Sequence, residues 1–305
     1  MRIALIGQAA FGEAVLQRLI ENSEEVIAVF CPPDPPGVRG NPLRARAEQQ
    51  GIPVFQRQRM RDPEVYSRFV GLRPELNVLA FVTDIIPQSI LDLPRLGSIQ
   101  YHPSLLPKHR GGSAINWAII NGETKTGLTI FWPDKGIDTG PILLQKEVEI
   151  LPDDTVGSLY FDKLFPLGVE ALAQAIELVK VGKAPRIPQA EDQASYEGLC
   201  GEPQAIVDWS RPCREVHNLV RGTNPQPGAT TWFRGKKLKI FDAEARPDAA
   251  GTPGEVAEIG PAGFTVAARS GAILVKRVQI EGSGKIKATD FAQTQNLKVG
   301  DALGQ

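Results

Sequence analysis

Cysteine, net charge and long apolar runs are all scarce in this chain, and each scarcity closes off a class of protein. The three cysteines, Cys31, Cys200 and Cys213, are an odd number without metal-ligand spacing. They speak for free thiols in a reducing compartment rather than a disulfide framework, and no metal is expected. A formal charge of -1 supplies no global field for nucleic acid, so only a local basic patch could serve that purpose. The opening apolar run, Ile3-Ala4-Leu5-Ile6, is too short for a signal peptide, and no stretch of about 18 apolar residues follows. A cytoplasmic protein with no membrane partner is expected.

What is present is the composition of a folded protein, 42% hydrophobic and 23% charged, in a chain long enough that two domains are the natural expectation. Apolar runs at 3–7 and 26–30 flank a helical spacing over 11–20, which makes a βαβ opening. Further strands are expected at 53–55, 77–82, 98–101, 127–132 and 142–150, with helices at 42–50, 62–70, 87–91, 114–120, 156–163 and 166–181. This pattern predicts a Rossmann-like, doubly wound, mostly parallel sheet over residues 1–189. The polar stretch 190–205 shows no period and reads as a linker. Beyond it, one helix at 213–221 precedes short glycine-punctuated strands at 229–233, 237–243, 254–259, 264–268 and 272–279, with a last segment near Leu303. Residues 206–305 therefore read as a smaller β-barrel domain of OB-like type.

The turn after the first strand, Gly7-Gln8-Ala9-Ala10-Phe11-Gly12, has a G-x-x-x-x-G pattern. It lacks the middle glycine that admits a pyrophosphate, and no Lys-Ser/Thr follows as a P-loop requires. It reads as a tight turn with close helix packing.

Two short segments carry more polar, ionisable and turn-forming residues than core building needs. One is Ile99-Gln100-Tyr101-His102-Pro103-Ser104-Leu105-Leu106-Pro107 and the other is Gly136-Ile137-Asp138-Thr139-Gly140. In a strand, residues two apart share a face, so Gln100 and His102 present an amide and an imidazole to one pocket at the strand's carboxyl end. Asp138, on the neighbouring loop, could hold the imidazole in one tautomer or favour its protonated form. The trio suits a reaction through a tetrahedral intermediate. Protonated His102 and the Gln100 amide would steady a developing oxyanion, and Asp138 would take the proton of an attacking amine. No nucleophilic Ser or Cys is required. His109 reads as lining or capping its loop, and His217 as a helix residue without an evident partner.

Tyr101-His102-Pro103-Ser104-Leu105-Leu106-Pro107-Lys108-His109-Arg110-Gly111-Gly112, with Asp134-Lys135-Gly136-Ile137-Asp138-Thr139-Gly140, resembles the signature of the 10-formyltetrahydrofolate-dependent formyltransferases. The likeness extends over nearly the whole chain. Asp208-Trp209, Val220 to Pro225, Gly251-Thr252-Pro253-Gly254 and Leu297-Lys298-Val299-Gly300 are similar to the carboxy-terminal barrel of methionyl-tRNA formyltransferases. Ala114-Ile115-Asn116-Trp117 and Ile130-Phe131-Trp132 are closer to the amino-terminal hydrolase domain of 10-formyltetrahydrofolate dehydrogenase. The resemblance implies catalytic roles for His102 and Asp138, and for Gln100 where the family usually has asparagine. It also implies a formyl-folate pocket drawing on Phe81, Ile85, Ile86 and Asp134, with Ser104 and Arg110 as further members.

Three functions fit this resemblance. The first is formyl transfer from 10-formyltetrahydrofolate to an amine, methionyl-tRNA above all. The second is hydrolysis of the same folate to formate. The third is a folate- or RNA-binding module that has lost catalysis, against which intact His102 and Asp138 argue. A basic loop after the second strand would mark a tRNA enzyme; here it carries Arg39, Arg44 and Arg46 and looks shortened. Lys236, Lys237 and Lys239 could meet phosphates, although such a run is commonly a solvated face.

Overall fold

Short apolar runs alternating with amphipathic stretches fold as parallel strands joined by helices, because such strands bury both faces only when helices cover them. The computed structural model describes residues 1–37 and 40–304. Its elements begin with β1 (Arg2–Gly7), α1 (Ala9–Glu21), β2 (Glu25–Cys31), α2 (Pro42–Gln49), β3 (Val54–Gln56) and α3 (Pro63–Leu72). They continue with β4 (Leu76–Ala80), α4 (Gln88–Leu91), β5 (Ser98–His102), α5 (Ala114–Ile120), β6 (Lys125–Phe131) and β7 (Ile142–Glu149). The short α6 (Val156–Ser158) passes through a π-helical stretch, Leu159–Leu164, into α7 (Phe165–Lys180). The chain then forms α8 (Cys213–Gly222), β8 (Ala229–Phe233), β9 (Lys236–Arg246), β10 (Val256–Gly260), β11 (Gly263–Ala267), β12 (Ala272–Ile280), β13 (Ile286–Lys287) and α9 (Ala288–Thr294). Two compact units result. One comprises Met1–Gly111, Gly127–Val148 and Asp162–Tyr196, and the other Gly112–Thr126, Glu149–Phe161 and Glu197–Gln305.

In the first unit the sheet order is β3-β2-β1-β4-β5-β6-β7. The strands from β3 to β5 pair in parallel, while β6 runs antiparallel to β5 with Phe131 opposite Gln100 and Thr129 opposite His102. This is the Rossmann-like sheet expected, with its switch point between β1 and β4, where ligands of such sheets collect. Phe30 stacks on Phe69 at 4.2 Å and on Phe55 at 5.0 Å, filling the core on one side of the sheet.

β4 stops at Ala80, short of the expected run to 82, because its ladder partner β1 ends at Gly7 opposite Ala80. A Cβ at Gly7 would stand 2.3 Å from the Ala80 carbonyl oxygen, and one at Gly12 2.9 Å from Leu43. Both glycines of the first turn thus serve close packing.

In the second unit, α5 lies against α8, where the Asn116 amide donates to the Gly222 carbonyl at 2.8 Å. The later strands form one antiparallel sheet in the order β10-β11-β12-β9-β8, with β13 on β12. The pairings carry an antiparallel sheet bent by irregularities in β12; closure into the expected barrel does not follow from them. Residues near Leu303 form no strand, Ala302 making only an isolated bridge to Glu255. α9 has no counterpart among the elements expected from the sequence. Its Ala288, Phe291 and Ala292, at helical spacing, are buried with Phe233 and Phe264. Seven residues are too few for a clear period in sequence, and burial of Phe291 selects the helix. No helix among the described residues is long and apolar enough to cross a membrane.

Candidate active site

The two-residue period of β5 and the antiparallel course of β6 bring the polar segments together. His102 is buried, 5% exposed, at the carboxyl end of β5. Its Nε2 lies 2.8 Å from the His109 carbonyl oxygen, which can only accept, so Nε2 carries a proton. The other ring nitrogen, Nδ1, is 3.4 Å from Asp138 Oδ2. That same oxygen accepts the Gly111 N–H at 2.8 Å, and Asp138 Oδ1 stands 3.5 Å from the Gln100 amide nitrogen. Gln100, His102 and Asp138, predicted from separate segments, therefore meet. Asp138 is buried and holds a left-handed backbone at φ 56°.

Neighbouring side chains shape the two loops. The Ser104 hydroxyl donates to the Lys108 carbonyl at 2.6 Å, and Thr129 on β6 donates to the Ser104 carbonyl at 2.7 Å while accepting the Leu106 N–H at 3.1 Å. Asp134 Oδ1 accepts from the Gly136 N–H at 3.0 Å and the Thr139 hydroxyl at 2.6 Å. Ser104 and Asp134 thus have atoms committed to building the loops on either side of the imidazole.

The remaining expected site residues are distributed unevenly. Phe81 follows β4 directly with φ 60° and is 45% exposed, and Ile85 is 76% exposed. Ile86 is buried and packs in the core with Ile90 and Leu91. Arg110 turns away from open surface. Its Nη1 and Nη2 grip both oxygens of Glu191 at 2.9 and 2.7 Å, and its Nε and Nη2 donate to Gln189 Oε1 at 3.1 and 2.8 Å. The hydrogen bonds between Arg110 and Glu191 raise the guanidinium pKa and lower that of the carboxyl.

Gln189, Glu191 and Ser195 were not identified from the sequence. Ser195 accepts the His109 N–H on its hydroxyl at 2.8 Å and the Arg110 N–H on its carbonyl at 2.9 Å, and its own N–H donates to the Pro107 carbonyl at 3.2 Å. A stretch rich in polar residues without a period carries no sign of which loop it will strap. Outside the site, His217 has a partner after all, its Nε2 lying 3.2 Å from the Ala243 carbonyl, and burial lowers its pKa.

The basic residues weighed as nucleic-acid contacts are largely paired. Arg44 meets Asp34 and Glu48, Arg46 lies 3.7 Å from Glu13, and Lys237 and Lys239 both reach Glu202 at 3.1 Å. Arg39 lies outside the described residues.

Residues 1–176 match the family described as Formyl transferase, and residues 202–296 match Formyl transferase, C-terminal domain. The chain belongs to the formyl transferase family. Among its curated relatives, cytosolic 10-formyltetrahydrofolate dehydrogenase of Mus musculus is 44% identical over 308 residues, covering 95% of this chain. The chain spans only 34% of that relative's length. Methionyl-tRNA formyltransferase of Geotalea daltonii is 40% identical over 309 residues, covering 100% of this chain and 98% of the relative.

Among solved structures, HypX from Aquifex aeolicus in complex with tetrahydrofolic acid superposes with TM-score 0.70 at 20% identity, over 99% of this chain and 48% of that one. An N-formyltransferase from Helicobacter canadensis, in complex with folinic acid and dTDP-3-aminofucose, gives TM-score 0.70 at 19% identity over 93% and 99%. These likenesses extend the family assignment to the fold.

Proposed function

We propose that this enzyme moves the formyl group of 10-formyltetrahydrofolate onto an amine, with methionyl-tRNA the first acceptor to test. The observation that carries the reading is the meeting of His102, Asp138 and Gln100 at the carboxyl end of a parallel strand. The amine nitrogen attacks the formyl carbon, and the carbonyl oxygen takes up negative charge. Protonated on both ring nitrogens, His102 would face that oxygen with its Nδ1–H. The 3.4 Å gap to Asp138 is longer than an ordinary hydrogen bond, so a proton on that nitrogen is only weakly held by the carboxylate. Loss of one donor to such an oxyanion costs about 3 to 4 kcal/mol of barrier.

Asp138 accepts the proton of the attacking amine, directly or through water. When the tetrahedral intermediate collapses, the bond from carbon to the folate nitrogen breaks, and that nitrogen takes up the proton. Gln100 supports the site either as a second donor to the formyl oxygen or by holding Asp138. Phe81 and Ile85, exposed beside β4, are suited to wall the pterin ring. Ile86 backs them from the core, and Ser104 and Asp134 fix the flanking loops.

Support for methionyl-tRNA comes from the Geotalea daltonii relative, matched over 98% of its length. A second reading, water as the acceptor, is favoured by the dehydrogenase relatives and by the pairing of Arg44, Arg46, Lys237 and Lys239 with acids. Incubation with 10-formyltetrahydrofolate, with and without methionyl-tRNA or small amines, separates the two by release of tetrahydrofolate. Release that requires methionyl-tRNA and weakens steeply with salt supports the first reading. Release at the same rate without any amine supports hydrolysis.

A further inference from the structure

We infer that Gln189 is a positioning residue for Asp138, locked in its working orientation by Arg110 and Glu191. The inference rests on the formyl-transfer reading for its catalytic consequence, and on geometry alone for its structural one. Gln189 has all of its polar capacity engaged. Its Nε2 donates to the Asp138 carbonyl at 2.8 Å and to the Gly140 carbonyl at 2.7 Å. Its Oε1 accepts from Arg110 Nε and Nη2. The partners fix which end is which, since carbonyl oxygens only accept and a guanidinium only donates.

The orientation has a direct link to the site. Asp138 sits in left-handed backbone, where a side chain other than glycine's is uncommon, so something must hold the turn. Gln189 holds it at two points, the carbonyls of residues 138 and 140. Arg110 is the hinge pin: it follows His109, whose carbonyl holds the His102 imidazole, and it precedes Gly111, whose N–H holds the Asp138 carboxylate. One guanidinium therefore ties the histidine loop to the aspartate loop by way of Gln189, with the bidentate Glu191 grip preventing its rotation. Neither Arg110 nor Gln189 touches the reacting atoms in this scheme. Both act through Asp138.

The test is Gln189→Glu, which keeps size and the attraction to Arg110 but replaces the nitrogen that makes both donations with a carboxylate oxygen facing two carbonyls. In folded protein of unchanged circular dichroism, kcat is expected to fall about 10- to 100-fold while KM for 10-formyltetrahydrofolate stays within twofold. In an Asp138→Asn background the same substitution is expected to add no further loss. Independently of turnover, amide hydrogen exchange at Gly111 is expected to accelerate at least tenfold, because that N–H is protected by the Asp138 carboxylate. Wild-type exchange at Gly111 together with wild-type kcat would overturn the inference. So would a full additional loss in the Asp138→Asn background, which marks a general structural role. Should wild-type enzyme release no tetrahydrofolate at all, the formyl-transfer reading fails, and the exchange measurement still decides whether Gln189 positions Asp138.

Discussion

Three residues in the loops of the site, Phe81, His109 and Asp138, have left-handed backbone at φ 60°, 55° and 56°, whereas the antiparallel sheet mostly meets that need with glycine, as at Gly235 and Gly263. Arg234, at φ 49° beside Gly235, and Asn296 are non-glycine cases in the sheet's unit. Outside glycine this conformation costs about 1–2 kcal/mol per residue. The sheet's turns only have to reverse the chain, so glycine suits them. In the proposed site the loops also carry a carboxylate and an aromatic ring, and the Asp138 turn is held by outside bonds from Gln189. Left-handed backbone also occurs at Ala9, Ser23, Arg73 and Ser113, so what sets the Asp138 turn apart is the set of bonds that holds it rather than the conformation alone.

The strongest way to break that contrast is to remove the chemistry and leave the strain. Asp138→Asn and His102→Ala are each expected to lower kcat about 10²- to 10⁴-fold, read as tetrahydrofolate release under saturating folate. Asp138→Gly relieves the backbone yet should lose as much activity as Asp138→Asn, with folding stability within about 1 kcal/mol of wild type. Activity surviving in Asp138→Gly would show that the turn, and not the carboxylate, is what the site needs.

The sheet provides the opposite case, in which substitutions cost stability through packing and backbone. Phe291→Ala removes a fully buried ring at the centre of the second core and is expected to cost about 3–5 kcal/mol in denaturant unfolding. Gly263→Ala drives a Cβ to 1.9 Å from the Val275 carbonyl oxygen at φ 142°, so it should be as damaging as a core truncation. Gly235→Ala meets nothing within 4 Å at φ 76°, and should cost only the conformational term of about 1–2 kcal/mol. Equal losses at the two glycines would mean that backbone conformation, rather than the close approach to Val275, sets the penalty.

Much of this arrangement is legible in the sequence. The parallel strands announce themselves as short apolar runs, and the two-residue period on β5 places Gln100 and His102 on one face. The meeting with Asp138 was readable because both loops leave adjacent strands and carry residues a core would not choose. The 189–196 segment was not legible. Gln189, Glu191 and Ser195 act through single hydrogen bonds to backbone and to Arg110, and such bonds impose no period on a sequence. For the same reason the partner of Arg110 was out of reach: a guanidinium in a loop looks identical in sequence whatever it faces. The strand expected near Leu303 and the unseen α9 have another cause, segments so short that tertiary burial decides their form.

The smallest expected effect concerns the grip of Glu191 on Arg110. The Arg110 hydrogen bonds hold the Glu191 carboxyl below its ordinary value of 4.5. A carboxyl depressed in the folded state contributes stability that is fully present above its unfolded value and is lost as pH falls through the folded one. The difference in thermal midpoint between wild type and Glu191→Gln should therefore stay constant from about pH 8 to pH 5 and close only below about pH 4. The difference itself should be modest, because Glu191 is 70% exposed and water screens the pair. A difference that persists unchanged below about pH 3 would instead show that the charge of Glu191 does not carry the coupling, and the tie between the two loops would then not depend on that carboxylate.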